Sequence, residues 1–258
     1  MLYLSNNKAA KHYYNSSLAR ESFQLYESIA QDYIQLDRHW GDDSDIVLEV
    51  ISNQEKVTLL DAGCGPGWYI RCCLESALES FEKIIGVDFS SAMIKQAEIY
   101  SMNSSKVILL KQNLLKIQKQ FHDESIDVII CMNNVLGNLI IEDIPTALTA
   151  RIKVLQQFQK ILRNNGKLIL SVYNRRLLNS NSYSDSNLFL DKTLSNPRTG
   201  DFVINVKLAG LPNNLRFYSH WFTKDELVNL LHNIGFRVFH IAFRNKRIVL
   251  SAEKSKDK

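Results

Sequence analysis

Short apolar runs alternate with amphipathic segments along most of the chain. The apolar runs of strand length lie at residues 56–61, 83–87, 106–110, 126–131 and 167–172. The segments between them with helical spacing lie near 68–80, 91–102 and 144–162. Apolar strands without polar alternation, separated by helices, indicate a parallel sheet covered on both faces. The pattern therefore predicts an α/β fold.

The pattern changes after residue 173. Residues 174–200 are rich in Ser, Asn and Asp and predict a long loop. Two β-like runs at 202–208 and 215–222 flank a turn with glycine and proline, which predicts a hairpin. Thr223 followed by Glu226 has the spacing of a capping box and predicts a helix that ends before Gly235. The last apolar runs predict two more strands, at 236–243 and 247–252.

Aromatic and aliphatic residues near the N-terminus recur at steps of three and four from Phe23 to Leu36, which predicts an amphipathic helix. A second short helix is predicted at 45–52. The chain is thus divided into a helical cap, residues 1–53, and a main domain, residues 54–258, with an insertion at about 174–222. Gly166 is predicted to end the preceding helix in the left-handed conformation.

Composition excludes several classes of protein. The 258 residues are 45% apolar and 22% charged, as in folded globular proteins. A net charge of +4 does not indicate a nucleic-acid binder. The four cysteines form no C-x-x-C pair, so neither a metal site nor a disulfide framework is predicted, and a cytoplasmic location fits best. No apolar run is long enough for a signal peptide or a membrane span.

Glycines gather where the first strand meets a helix, at Gly63, Gly65 and Gly67. Glycine permits a tight turn there and lets a ligand approach the backbone. The dinucleotide fingerprint needs a further glycine at the position that Trp68 occupies, which argues against a nicotinamide cofactor. The spacing instead fits a smaller zwitterionic ligand with an amino-acid tail.

With Asp61 ahead of these glycines, the stretch resembles the first motif of class I S-adenosylmethionine-dependent methyltransferases. The resemblance extends over about residues 57–252 and the helix before them. It implies a Rossmann-like, seven-stranded, mostly parallel sheet with helices on both faces, an N-terminal helical cap and a β-hairpin inserted near the acceptor site. It also implies S-adenosylmethionine as cofactor, S-adenosylhomocysteine as product, and no metal.

The resemblance assigns the cofactor site residue by residue. Asp88 ends the second strand, where an acid accepts hydrogen bonds from both ribose hydroxyls. Asn113 stands where the family usually has an acid for the adenine amine, Leu114 would pack on the adenine ring, and Tyr33 would contact the cofactor carboxylate. The full predicted set is Tyr33, Asp61, Gly63, Cys64, Gly65, Gly67, Asp88, Phe89, Met93, Asn113, Leu114 and Cys131.

The acceptor side is predicted between the cap, the fourth strand and the hairpin. Residues 131–139 resemble the small-molecule N-methyltransferases of the glycine/sarcosine kind, which often carry an Asn followed four residues later by His. Here Asn138 follows Asn134, so the amino-acid substrate of that subfamily is not carried over. Tyr218 and His220 share one face of a strand, and His220 could take a proton from the acceptor. Asn134, Tyr218 and His220 are the predicted catalytic residues.

These motifs favour an enzyme that methylates a nitrogen or oxygen of a small molecule. A tRNA or protein methyltransferase is the second hypothesis, because the same core serves all of these substrates, and a basic cluster at 244–247 speaks for RNA. A noncatalytic subunit with the same fold is the third. The intact set of Asp61, the three glycines and Asp88 argues against it.

Overall fold

The computed structural model describes residues 16–30, 43–52, 54–101, 104–177, 188–207 and 215–255. Its helices are α1 (Ser17–Ile29), α2 (Ser44–Ser52), α3 (Trp68–Ala77), α4 (Ser91–Tyr100), α5 (Ala147–Ile161) and α6 (Lys224–Ile234). Its strands are β1 (Val57–Ala62), β2 (Phe81–Asp88), β3 (Val107–Lys111), β4 (Ile126–Cys131), β5 (Leu162–Tyr173), β6 (Leu188–Leu190), β7 (Asp201–Val206), β8 (Leu215–His220), β9 (Phe236–Arg244) and β10 (Arg247–Lys254). Tyr33 lies outside the described residues.

The main sheet has seven strands in the order β3-β2-β1-β4-β5-β10-β9. Strands β1 to β5 are parallel, and β10 runs antiparallel to both β5 and β9. Successive residues Leu59 and Leu60 are fully buried and belong to two different core clusters, because side chains alternate across a strand. Helices α2 and α3 cover one face and α5 and α6 the other. The predicted fold class is confirmed.

The strand order shows at which point of the sheet a ligand-binding crevice forms. The chain moves outward from β1 to β3 and then returns to pair β4 on the other side of β1. The loops that leave β1 and β4 therefore diverge to opposite sides and open a crevice at their carboxyl ends. Ligands of open α/β sheets bind at such a switch point.

The inserted segment forms a second sheet, in the order β6-β7-β8. The predicted hairpin is confirmed, since β7 and β8 pair antiparallel with Val203 opposite Tyr218. The predicted long loop over 174–200 also contains a 3-10 turn at Arg175–Leu177 and the short strand β6, which the prediction missed. A three-residue strand in a polar segment has no periodicity that sequence reasoning can detect.

The end of α5 also differs from the prediction. Leu162 is already extended, and Asn165 rather than Gly166 has the left-handed conformation, with φ of 63°. Gly166 is a residue of β5, where a Cβ atom would lie 2.8 Å from the Arg163 carbonyl oxygen. Its glycine is therefore explained by crowding and not by helix termination.

Helix α1 is fixed to both the small sheet and α4. The Arg216 guanidinium of β8 donates two hydrogen bonds of 2.7 Å to the Glu21 carboxylate. Further along α1, the Glu27 carboxylate accepts from the backbone N–H of Ser91 in the first turn of α4. A carboxylate at that position satisfies an unpaired N–H and interacts favourably with the helix dipole.

We expect Glu27→Ala to lower the free energy of unfolding by about 1 kcal/mol, since it removes a charged cap from α4. Urea unfolding at neutral pH measures this difference. Glu79→Ala is the matched control because the Glu79 side chain is 95% exposed and should change stability by no more than a few tenths of a kcal/mol. Equal stability of the Glu27 variant and the wild type would contradict the capping role.

Within the described part of the chain, no helix is both long enough and apolar enough to cross a membrane.

Candidate functional site

A cavity of about 1010 Å³, its open mouth included, lies at the carboxyl end of the sheet beneath α1. The loop after β1, the end of β2 and the segment after β4 form its walls. Most of the predicted cofactor residues line it: Asp61, Gly63, Cys64, Gly65, Asp88, Phe89, Met93, Asn113 and Leu114. The structure therefore brings together residues from three separate strand–loop junctions.

The loop after β1 is a tight turn held by its own backbone. The N–H groups of Gly63 and Cys64 both donate to the Val87 carbonyl oxygen, at 2.7 and 3.0 Å. Gly63 has a φ of 81°, and a Cβ atom there would lie 2.6 Å from Val135 Cγ1. Only glycine satisfies both the left-handed backbone and this close approach. The loop therefore exposes backbone to the cavity where a side chain would block it.

Asp88, the last residue of β2, connects the loop after β1 to the loop after β2. Its Oδ2 accepts from the Gly65 N–H and its Oδ1 from the Ser90 N–H, both at 2.9 Å. Burial raises the pKa of Asp88 to about 6, while these backbone hydrogen bonds oppose the rise. Each carboxylate oxygen has further lone-pair capacity, so Asp88 can accept hydroxyl donors from a ligand while it holds the loop.

Asp61 is buried, with 1% of its surface exposed, and its Oδ2 has no hydrogen-bond partner among the described residues. Burial, reinforced by the Asp88 charge, raises the pKa of Asp61 to about 8. An unsatisfied buried carboxylate oxygen is costly. A cationic group in the cavity would relieve this cost, and the protonated amine of an amino-acid tail has the required charge and donors.

Asn113 follows β3 and begins the 3-10 segment Leu114–Gln120. Its side-chain oxygen accepts from the Leu115 N–H at 2.9 Å, so one of its lone pairs already serves as a helix cap. Leu114 and Leu115 line the cavity beside it. This wall offers an apolar surface with one amide at its edge, which suits a planar base.

Two of the predicted cofactor residues do not line the cavity. Gly67 is the N-cap of α3, and a Cβ there would lie 3.1 Å from the Cα of Ala97 in α4. Its role in the structure is therefore close packing of two helices. Cys131 is fully buried in the core under the cavity, while the next residue, Met132, reaches the lining.

The predicted catalytic side chains Tyr218 and His220 point away from the cavity. The two ring nitrogens of His220 lie 2.8 Å from Asp201 Oδ1 and 2.7 Å from Glu226 Oε1. The Tyr218 hydroxyl donates to Asp201 and accepts from Arg151. Burial alone would raise the pKa of Asp201, but hydrogen bonds from His220 and Tyr218 hold it at about 2.

These contacts correct the predicted role of the hairpin. With its ring nitrogens at the carboxylates of Asp201 and Glu226, His220 links β7 and β8 to α6, and it is not among the described residues that line the cavity. Period two in β8 placed Tyr218 and His220 on one face, but that face is turned into the protein. The physical reason is the hydrogen-bond network with Arg151, Asp201 and Glu226 that the two side chains complete.

Asn134 is also fully buried and does not line the cavity, whereas its neighbours Asn133 and Val135 and the nearby Asn138 do. Asn133 and Asn134 both have positive φ, of 52° and 62°. Asparagine tolerates this conformation better than other non-glycine residues, and such strain concentrates at functional sites. The consecutive left-handed residues reverse the chain after β4 and direct Val135 and Asn138 to the cavity.

The sequence prediction missed part of the lining. Helix α1 contributes Ala19, Ser22, Phe23 and Tyr26. The segment after β4 contributes Asn138, Leu139 and Ile140. The signal for Tyr26 was its place in the repeat of aromatic and aliphatic residues that begins at Phe23. The signal for Asn138 was its position four residues after Asn134.

Comparison with known proteins gives a family and a fold. A family model described as a methyltransferase domain matches residues 53–233, more than half of the chain. No curated protein sequence matches this chain significantly.

Solved structures with a similar fold include a methyltransferase dependent on S-adenosylmethionine from Methanosarcina mazei, 20% identical, with a TM-score of 0.61 over 82% of this chain and 98% of that one. Another, from Clostridium acetobutylicum, is 15% identical, with a TM-score of 0.66 over 91% of this chain and 100% of that one. The 1,6-didemethyltoxoflavin N1-methyltransferase of Burkholderia thailandensis, solved with that compound and S-adenosylhomocysteine, is 16% identical, with a TM-score of 0.61 over 99% and 92%.

Proposed function

The chain belongs to the methyltransferase-domain family, as a class I enzyme dependent on S-adenosylmethionine, and from this premise we propose that it transfers the methyl group to a nitrogen or oxygen of a small molecule. When bound, S-adenosylmethionine supplies a methyl carbon on a positively charged sulfur. The chain has to hold this donor, exclude water and orient the acceptor.

The donor end of the cavity fits the cofactor. We assign the amine of its methionine part to Asp61, whose buried Oδ2 lacks a partner among the described residues. We assign the ribose hydroxyls to Asp88, and the adenine ring to Leu114 with Asn113 at its edge. Gly63 and Gly65, both with positive φ and without a side chain, line the cavity between these groups.

The other end of the cavity has a different character. Ala19 and Phe23 of α1 line the cavity together with Val135, Leu139 and Ile140 of the segment after β4. The charged residues of the described lining, Asp61 and Asp88, both lie at the donor end. This arrangement is the observation that supports the proposal: a concave, largely apolar lining suits a small acceptor better than a polymer.

Catalysis in this arrangement depends on position. Holding the reacting atoms about 3–3.5 Å apart can supply roughly 7–11 kcal/mol of the barrier without a covalent intermediate. The transfer also removes the positive charge of the sulfur, so an apolar wall beside the reacting atoms favours the change. The similar structure from Burkholderia thailandensis, solved with the small molecule 1,6-didemethyltoxoflavin, is consistent with such an acceptor space.

One feature favours RNA as a second candidate substrate. A groove between α5 and the 3-10 segment after β3 is lined by Lys116, Lys119, Lys153 and Lys160, and it shares Leu115 with the cavity. Lysines along a groove can bind phosphates, and such binding weakens steeply with salt. The groove borders the wall assigned to adenine, whereas the apolar acceptor space lies under α1, so we favour the small molecule.

We expect the purified enzyme, incubated with methyl-labelled S-adenosylmethionine, to label a fraction of small molecules and to leave total tRNA and protein extract unlabelled. The activity should also change less than threefold between 50 and 200 mM salt, because no phosphate contacts are involved. Asp88→Ala, prepared in the same way, controls for contaminating host enzymes. Label that enters only RNA, with a steep salt dependence, would overturn the small-molecule proposal.

A further inference from the structure

Asn133 offers a hydrogen-bond donor at the cavity. The Arg247 guanidinium, which can only donate, lies 2.6 Å from the Asn133 side-chain oxygen. The Asn133 amide nitrogen is therefore the atom turned away from Arg247, and no described residue accepts a hydrogen bond from it. Because Asn133 lines the cavity, this nitrogen is available to a ligand.

A buried ion pair fixes Arg247. Its Nε lies 3.2 Å from the Asp43 carboxylate, and the two side chains are 5% and 0% exposed. The same carboxylate accepts from the Ser171 hydroxyl of β5, at 3.0 Å. Asp43 therefore matches the charge of the guanidinium, and Asn133 presents a neutral donor whose direction Arg247 sets.

Tyr69 carries a second donor. It is the second residue of α3, it lines the cavity, and it is 3% exposed. Its hydroxyl has no hydrogen-bond partner within the described part of the chain. A buried hydroxyl without a partner is costly, so its presence needs an explanation. Burial, with a further contribution from the Asp43 charge, raises the pKa of the phenol far above its usual range, so the hydroxyl keeps its proton.

Both donors lie near Asp61. Strands β1 and β4 pair in parallel with Asp61 opposite the penultimate residue of β4, and Asn133 follows two residues after the end of that strand. The charges of Asp61 and Arg247 both affect the pKa of the Tyr69 phenol, so its hydroxyl lies within range of both groups. One region of the cavity thus combines an unpaired carboxylate oxygen with two unused donors. An amino-acid tail has the complementary groups, because its ammonium donates and its carboxylate accepts.

We propose that the Asn133 amide and the Tyr69 hydroxyl bind the carboxylate of the cofactor's amino-acid tail, beside the ammonium assigned to Asp61. Arg247 is then a positioning residue, because it orients the Asn133 amide. The inference rests on the cofactor of the proposed function and deepens its assignment, whatever the methyl acceptor is.

The carboxylate is recognised by neutral donors. No lysine or arginine is among the described residues that line the cavity, so the carboxylate has no cation of the lining to pair with. A carboxylate has about four lone-pair sites. Two donors therefore leave room for Tyr33, for which the sequence predicts the same contact.

Tyr69→Phe tests the phenol with two ligands that differ in one group. S-adenosylhomocysteine has the amine and the carboxylate, whereas its decarboxylated analogue, S-adenosyl-3-thiopropylamine, has the amine alone. We expect about tenfold weaker binding of S-adenosylhomocysteine, because a hydrogen bond to a charged group is lost, and a change below threefold for the analogue. Isothermal titration calorimetry at pH 7.5 measures both dissociation constants. Tyr100→Phe removes a phenol hydroxyl from α4 outside the cavity lining and should leave both unchanged.

Thermal unfolding of the ligand-free protein separates this role from a structural one. Tyr69→Phe should unfold at the wild-type temperature or above it, since it removes a buried hydroxyl that has no partner among the described residues. A lower unfolding temperature, with equal losses of affinity for the two ligands, would assign the hydroxyl to the fold and overturn its role in binding.

Asn133→Asp tests the amide. The introduced carboxylate keeps an oxygen for Arg247 and tolerates the left-handed φ of 52°, but it replaces the donor with an acceptor. We expect about 100-fold weaker binding of S-adenosylhomocysteine, because the lost hydrogen bond is joined by repulsion between like charges. The analogue should bind within threefold of the wild type or more tightly, because its amine is not repelled. Asn165→Asp, at another left-handed residue that is exposed and outside the cavity lining, is the matched control.

The ratio of the two dissociation constants decides the inference. Equal losses for the two ligands in a variant would overturn the role of that residue, because the lost contact would not involve the carboxylate. Wild-type affinity for S-adenosylhomocysteine in both variants would overturn the whole inference. A wild type that binds neither ligand would overturn it together with the cofactor assignment.

Failure of the proposed acceptor has a different signature. Label that enters only RNA or protein would refute the small-molecule substrate. The two dissociation constants are measured without an acceptor, so the loss confined to the ligand with the carboxylate would still support the roles of Asn133 and Tyr69.

Discussion

Asp88→Ala is expected to weaken binding of S-adenosylhomocysteine about 100-fold. A hydrogen bond to a charged group contributes about 1.5–3 kcal/mol, and the carboxylate is assigned to two ribose hydroxyls. The loss of both bonds amounts to about 3 kcal/mol, which is two orders of magnitude in affinity. Isothermal titration calorimetry near pH 7.5, where a carboxyl with a pKa of about 6 is mostly ionised, measures this difference.

The same side chain also supports the loop, since it accepts from Gly65 and Ser90. Circular dichroism and thermal unfolding should therefore accompany the titration, so that loss of fold is distinguished from loss of ligand contact. Asp225→Ala is the matched control, because the Asp225 carboxylate is 69% exposed on α6 outside the cavity lining. A folded Asp88 variant that binds within threefold of the wild type would refute the ribose assignment.

The positions of Gly63 and Asp88 in the fold can be predicted from the sequence because local rules determine them. Glycine is needed where the chain after β1 takes positive φ, as at Gly63, and this requirement is visible in the sequence. An acid at the end of an apolar strand, as at Asp88, must emerge at the carboxyl edge of a parallel sheet. Both features follow from a few neighbouring residues, so their places were predictable.

The positions of Asn134, Tyr218 and His220 relative to the cavity depend on contacts between distant residues, which a sequence pattern does not show. Two successive left-handed residues after β4 break the strand period, so the pattern could not show that Asn138 rather than Asn134 reaches the cavity. The ring nitrogens of His220 lie against Asp201 and Glu226, which belong to other elements. Which face of β8 is buried depends on these partners and not on β8 itself.

The other large effect concerns Asp61 and pH. We expect the affinity for S-adenosylhomocysteine to rise with pH between 5.5 and 7.5, with a slope that approaches tenfold per pH unit for each proton released. Burial raises the pKa of Asp61 to about 8 in the ligand-free protein, so the group is mostly protonated in this range. A cationic amine favours the ionised form, and binding must therefore expel the proton.

Asp61→Asn should remove about one proton from this linkage, because the amide does not titrate. Asp88, with a pKa of about 6, also releases a proton on binding, so the affinity of the variant keeps a weaker pH dependence at the acidic end of the range. At pH 7.5 we expect the variant to bind about 30-fold more weakly, since it loses a charge-assisted hydrogen bond of about 2 kcal/mol. The difference in affinity between the wild type and the variant should narrow towards pH 5.5, because binding to the wild type then has to overcome the cost of ionising Asp61.

The free energy of unfolding should fall as pH rises, whereas the affinity for S-adenosylhomocysteine should increase. A folded-state pKa above the unfolded value of 3.8 means that the native protein holds a proton that the unfolded chain releases. The ligand-free wild type should therefore lose stability as pH rises from about 4 through 8, and Asp61→Asn should lose less.

Calorimetry in two buffers of different ionisation enthalpy counts the protons released on binding. An equal count in wild type and variant would show that the amine does not pair with Asp61.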